Sequence, residues 1–245
     1  AMNSPSQAKL KSNVSLATER RFFAWLSVAV LAMTIAGFLN TYLLVPLIGL
    51  PKDSLPPTPL VNIHAFVFFS WSILLVVQAW LVVSNRTIRH KQLGLLGLIL
   101  YFGLVVTGPL VAVRSAIRYG GSTDELAFLA VSLGNAAAYT LILGAAFLLR
   151  RRPDFHKRLM LVGMVALLTA PFGRLVPFPY LLEHVVGPSV VVIALAAWDF
   201  HAYRKFHFVT KVVGPAILLW ELLPNFYMNS DWWLTFTRWL VRIAA

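Results

Sequence analysis

Charged residues are missing from four long stretches of this chain: Phe22 to Pro51, Ser54 to Asn85, Gln92 to Val113 and Leu126 to Leu149. A bilayer core about 30 Å thick needs roughly 20 apolar residues rising about 1.5 Å each. Each stretch is long enough to cross. The pattern predicts membrane helices at about 22–48, 60–84, 92–114 and 125–149, followed by 156–176, 185–203 and 208–226. Pro215, Pro224 and Asn225 punctuate the last of these. Residues 231–245 are too few to cross again. They set Trp232, Trp233, Phe236, Trp239 and Leu240 against Arg238 and Arg242, the pattern of an amphipathic helix lying in the membrane interface.

The expected architecture is therefore all-α. A seven-transmembrane-helix bundle occupies 22–226, a polar segment 1–21 precedes it, and an interfacial aromatic tail 227–245 follows.

Composition narrows this further. The 245 residues are 59% hydrophobic, too apolar for a domain that must keep a polar surface in water. The net charge of +12 does not point to nucleic acid, because the basic residues form short clusters between apolar spans instead of lining one face. Assigning loops to alternate sides puts Lys9, Lys11, Arg20, Arg21, Arg86, Arg89, Lys91, Arg150, Arg151, Arg152, Lys157, Arg158, Arg204, Lys205 and Lys211 together, 15 of the 21 basic residues. The positive-inside rule makes that side cytoplasmic, with the N-terminus in and the C-terminus out. The stretch Asn3 to Arg21 has no short apolar core of the kind a secretory signal carries, so it is expected to stay in the cytoplasm. The chain has no cysteine, which excludes disulfides, thiolate zinc sites and thiol catalysis.

Two predicted helices open alike, His90-Lys91-Gln92-Leu93-Gly94 and His156-Lys157-Arg158-Leu159-Met160, each after a helix that ends in arginines. The hairpins they belong to read as an internal repeat of parallel orientation. Free N–H groups at these helix starts, together with Arg89, His90, Lys91, His156, Lys157 and Arg158, would suit the phosphate of an anionic lipid. Fixing topology and snorkelling to headgroups explains the same residues without a ligand.

The segments His64 to Gln78, Arg89 to Gly94 and Arg151 to Met160 resemble a widespread family of bacterial multi-pass membrane proteins of unassigned function. In that family a His opens the second helix, a Gln closes it, and H-[KR]-x-L motifs begin two later helices. The resemblance spans roughly 60–175 and implies a place in the bacterial inner membrane. The H-K-R-L-M segment is also similar to small membrane proteins associated with cytochrome oxidase assembly.

Candidate chemistry lies where ionisable and amide groups enter the apolar spans, since such groups are costly there and usually functional. His64, Trp71 and Gln78 recur every seven residues and so share one face of the second helix. Arg114, Asn135, Arg174, Glu183, His184 and Glu221 come from other helices at similar expected depth. Together they suggest an outward-facing polar pocket in which Arg174 pairs with Glu221 or Glu183, while His64 and His184 supply titratable or metal-ligating nitrogens.

The reading that follows is a protein that binds or transports a small ligand, ion or proton. The alternative is a redox protein holding haem or a metal between His64 and His184, or between His90 and His156. An assembly or scaffold subunit is a third reading, and the apolar outer surfaces leave room for a second copy or a membrane-complex partner. No retinal is expected, because the seventh helix has no lysine deep in the membrane. The seven-helix ceramidase and adiponectin-receptor class shares the predicted orientation, but its Ser, Asp and H-x-x-x-H ligand positions are not matched here.

Overall fold

The computed structural model describes residues 13–51, 54–175 and 180–245, with the side chains of 180–184 excepted. Among the described residues all regular structure is helical. Helix α1 (Leu16–Phe38) starts six residues ahead of its apolar stretch, where the Ser15 hydroxyl caps it by accepting the Thr18 N–H at 3.1 Å. It runs on through a π-helical turn, Leu39–Leu43, and a short turn, Val45–Ile48. Thr58 caps α2 (Pro59–Val83), whose first residue is a proline, and Ser122 caps α4 (Thr123–Leu148), which has Asp124 and Glu125 in its first turn. Between them, α3 (Thr87–Arg118) absorbs the Arg89-His90-Lys91 cluster into its first turns. Two further long helices follow, α5 (Pro153–Leu175) and α6 (Tyr180–Tyr203).

The expectation of seven membrane helices is corrected here: six helices among the described residues are long and apolar enough to cross a membrane. The seventh predicted crossing is divided into a π-helical turn, Val209–Val213, a nine-residue helix α7 (Gly214–Leu222) and a single turn, Pro224–Tyr227. Its prolines mark the division. Pro215 lies in the first turn of α7, directly after the π-helical turn, and Pro224 opens the last turn, each without the N–H that a continued helical ladder would use.

The C-terminal helix is present as α8 (Asp231–Ala244). It packs on the ends of α3 and α4 that meet at Gly120, away from the His90 and His156 end. One face is buried: Trp233, Leu234 and Thr237 turn inward, and the Trp233 indole N–H donates to Leu126 O at 3.2 Å. Trp232, Phe236, Trp239 and Ile243 stay exposed on the other face. Trp233 thus departs from the expected role of all the tail aromatics as interface anchors.

The bundle is organised around α5. Its most apolar stretch is 67% buried, against 22% for α2 and 28% for α3. It packs on α1, α4, α6 and α7, and Leu159, Val162, Met164, Val165 and Leu168 fill the centre. On the outside, Phe66, Leu95, Leu141 and Leu148 are exposed, a surface that lipid solvates and water does not. Close backbone approach substitutes for hydrophobic drive inside the bilayer. A Cβ on Gly37 would fall 2.1 Å from the Pro171 carbonyl oxygen, so α1 and α5 touch through main chain at that point. Helices α3 and α4 are clasped reciprocally, Tyr101 Oη donating to Thr140 O at 2.8 Å and Tyr139 Oη to Leu104 O at 2.7 Å.

Because the atom facing Gly37 is backbone and cannot swing aside, Gly37→Val is expected to destabilise the protein by about 1–3 kcal/mol. Gly94→Val, where a Cβ meets open space, serves as the control. Thermal unfolding in detergent checks this; equal melting temperatures for the two variants would contradict the close approach.

Candidate functional site

The carboxylate of Glu221 is the most enclosed polar group the spans were expected to contribute. Helix α7 carries it into the bundle, where Glu221 is 2% exposed. The Thr169 hydroxyl, from α5, lies 3.3 Å from Oε2. Assigned the amide orientation that satisfies both groups, Asn135 of α4 donates from Nδ2 to Oε2 at 2.9 Å and to Oε1 at 3.1 Å. Next to it the Trp220 indole N–H donates to Gly134 O at 3.0 Å, which ties α7 to α4. Among the described residues no Lys, Arg or His forms an ion pair with Glu221.

The predicted Arg174–Glu221 pair is therefore not formed. Arg174 instead donates to Ala170 O of its own helix at 2.6 Å and lies 4.8 Å from the centroid of the Phe38 ring, a cation–π contact. Arg114 is exposed on α3. Glu183 and His184 fall outside the described side chains. Of the expected pocket, the structure brings Asn135 and Glu221 together and adds Thr169, which the sequence reading passed over. A hydroxyl in the apolar run of α5 was the available signal, but Thr169 also back-bonds to Val165 O and would be equally at home without a ligand.

The His64, Trp71 and Gln78 stripe faces the bundle but divides into separate roles. His64 Nδ1 meets the Thr107 hydroxyl at 2.9 Å, and that hydroxyl donates in turn to Gly103 O at 2.7 Å. With its hydrogen committed, the Thr107 oxygen can only accept, so Nδ1 carries the imidazole proton. Trp71, 3% exposed, is a core residue whose indole N–H points to the Met164 sulfur at 3.2 Å. Gln78 gives its backbone carbonyl to His90, while its own Oε1 is buried with no hydrogen-bond partner. No group of three or more His, Asp or Glu converges on a metal position among the described residues.

At the opposite end from α8 lies a polar cluster that the sequence reading missed. Arg158 is 1% exposed and Asp199, on α6, is fully buried; their Nη2 and Oδ1 atoms are 2.5 Å apart. Arg158 Nη1 also reaches Asp154 O at 3.2 Å, and Asp199 Oδ2 accepts the His207 backbone N–H at 3.0 Å. Lys157 meets Glu19 of α1 at 2.6 Å and Asp154 at 3.4 Å, and the Tyr203 hydroxyl donates to the same Glu19 oxygen. Burial, then the Arg158 guanidinium, holds the His207 imidazole below its ordinary pKa against the pull of Asp199 and Asp154. Its Nδ1 accepts the Val209 N–H at 3.2 Å, a bond that only the form unprotonated at that nitrogen can make.

Two of the six residues expected to meet lipid phosphate are engaged elsewhere. Lys157 and Arg158 turn inward to carboxylates and do not reach for headgroups. Arg89 and Lys91 remain exposed, and His90 and His156 are half-buried with Nδ1 already committed to backbone carbonyls.

Removing one partner of a buried ion pair leaves an uncompensated charge, so Asp199→Ala is expected to cost about 3–5 kcal/mol, and the double variant Arg158→Met with Asp199→Leu to recover most of it. Chemical unfolding in detergent measures both; an Asp199→Ala protein as stable as the original would show that the pair does not hold α5 to α6. Comparison of the chain with protein-family models, curated proteins and solved structures returned no match.

Proposed function

We propose that this integral multi-pass membrane protein binds or transports a small ion through its polar core, the proton being the species that suits Glu221 best. The observation that carries the reading is a buried carboxylate met by uncharged partners, Asn135 and Thr169, in a bundle where the other buried charges among the described residues are paired. A carboxyl held deep among membrane helices needs a counter-charge or a proton, and groups placed this way are characteristic of ion pathways. Asn135 and Thr169 can hydrogen-bond the group with or without its proton. The broken helical segment around Glu221 adds support, since interrupted helices are where transport proteins build their ion sites.

On this reading the end rich in Lys and Arg faces the cytoplasm, the bundle lies in the inner membrane, and the exposed aromatic face of α8 beds into the outer interface. The redox or metal-binding alternative is favoured by one observation, the approach of the His90 and His156 rings to 6.3 Å.

Reconstitution into vesicles containing a pH-sensitive dye, with a potassium diffusion potential as driving force, tests the proposal. Proton entry is expected with the unaltered protein and should fall to the protein-free rate in Glu221→Gln, which keeps the shape and removes the titrating group. Entry at the same rate in both proteins, or in neither, would overturn the reading.

A further inference from the structure

We propose that His90 and His156 form a two-histidine site for a first-row transition-metal ion at the Lys- and Arg-rich end of the bundle. The two residues occupy the same position in the α2–α3 and α4–α5 hairpins, each in the first turn of the second helix. Each makes the same bond. His90 Nδ1 lies 3.3 Å from Gln78 O and His156 Nδ1 lies 2.8 Å from Ala146 O, the acceptor in both cases being a carbonyl near the end of the preceding helix. A carbonyl only accepts, so both Nδ1 atoms carry hydrogen and the basic lone pair of each neutral ring is left at Nε2. That arrangement, one ring nitrogen donating to backbone and the other free, is the one metal-ligating histidines adopt, with the second-shell bond fixing tautomer and ring orientation.

The spacing agrees. With metal–nitrogen distances of about 2.0–2.1 Å, two imidazoles sharing one ion have ring centroids roughly 4.5–6.5 Å apart. These two centroids are 6.3 Å apart, inside that range and near its upper end.

Electrostatics permit a cation despite the basic surroundings. Lys157 is drawn off to Glu19 and Asp154, and Arg158 to Asp199. Both rings are half-buried, and Gln78, whose carbonyl anchors His90, has a side-chain oxygen that is buried without a partner. Such an orphaned acceptor is a mark of an unfilled polar position. Imidazole donors suit zinc, copper, nickel or iron, with solvent completing the coordination.

Chelator-stripped protein in detergent, titrated calorimetrically with Zn²⁺ and followed by absorption with Co²⁺, tests the site. One equivalent of Zn²⁺ per chain is expected, with affinity reduced at least about tenfold in His90→Ala and in His156→Ala and unchanged in His64→Ala. Should the alanine variants fail to fold, His90→Gln and His156→Gln keep a donor for the carbonyl while removing the imidazole, and the same loss is expected. Absence of stoichiometric binding, or equal binding when His90→Gln and His156→Gln are combined, would overturn the proposal. Neither result bears on proton movement at Glu221, because the two sites share no residue.

Discussion

The buried pair of Arg158 and Asp199 is the contact on which the rest of the arrangement depends. Two charges withdrawn from water are tolerated only when they meet each other and their remaining polar atoms are largely occupied, so the pair fixes α5 against α6 in one register. The second Asp199 oxygen takes the His207 N–H and thereby sets how the chain turns from α6 into its last segment. Glu19, Lys157 and Tyr203 bring α1 into the same cluster. Because α5 is the central helix, its register sets the depth of everything packed on it. Thr169 lies eleven residues beyond Arg158, three turns and about 16 Å along nearly the same face. There it meets Glu221, on the segment whose start is bonded to Asp199 through the His207 N–H.

Much of this was legible in the sequence. The charge-free stretches located the first four membrane helices within a few residues, since the requirement for about 20 apolar residues leaves little freedom. The ends were misjudged where a cap or a polar first turn extends the helix beyond its apolar part, as Ser15 does for α1 and as Arg89 to Lys91 do in α3. The seventh predicted crossing failed for a local reason. Hydropathy averages over 208–226 and does not register the π-helical turn ahead of Pro215 or the interruption ahead of Pro224.

Side-chain partners were less legible. Arg158 reads as one more cytoplasmic cation by position, and only tertiary packing shows that Asp199, near the far end of α6, is its partner. Conversely, Arg174 and Glu221 have the signs and depth of an ion pair, but Arg174 is held by Phe38 and its own helix carbonyl. Charge and depth constrain which pairs are affordable without choosing among them. The histidine repeat was visible in the sequence, yet its consequence was not: the shared carbonyl bond, which leaves both Nε2 atoms available, requires the helices to be side by side.

Seen through its charges, the bundle has two unlike ends. At the Lys- and Arg-rich end the buried carboxylates Glu19 and Asp199 are matched by cations and serve to hold helices together. Glu221, on α7 beside a deeper part of α5, is matched by an amide and a hydroxyl, partners that place a carboxyl without fixing its charge. A group of that kind is where an exchangeable proton can reside. The central claim is that Glu221 holds one, and infrared difference spectroscopy between acidic and alkaline samples in H₂O and D₂O tests it most directly. The account predicts a carboxylic-acid C=O band that responds to pH, shifts in D₂O and is lost in Glu221→Gln; identical difference spectra for the two proteins across the accessible pH range would contradict it.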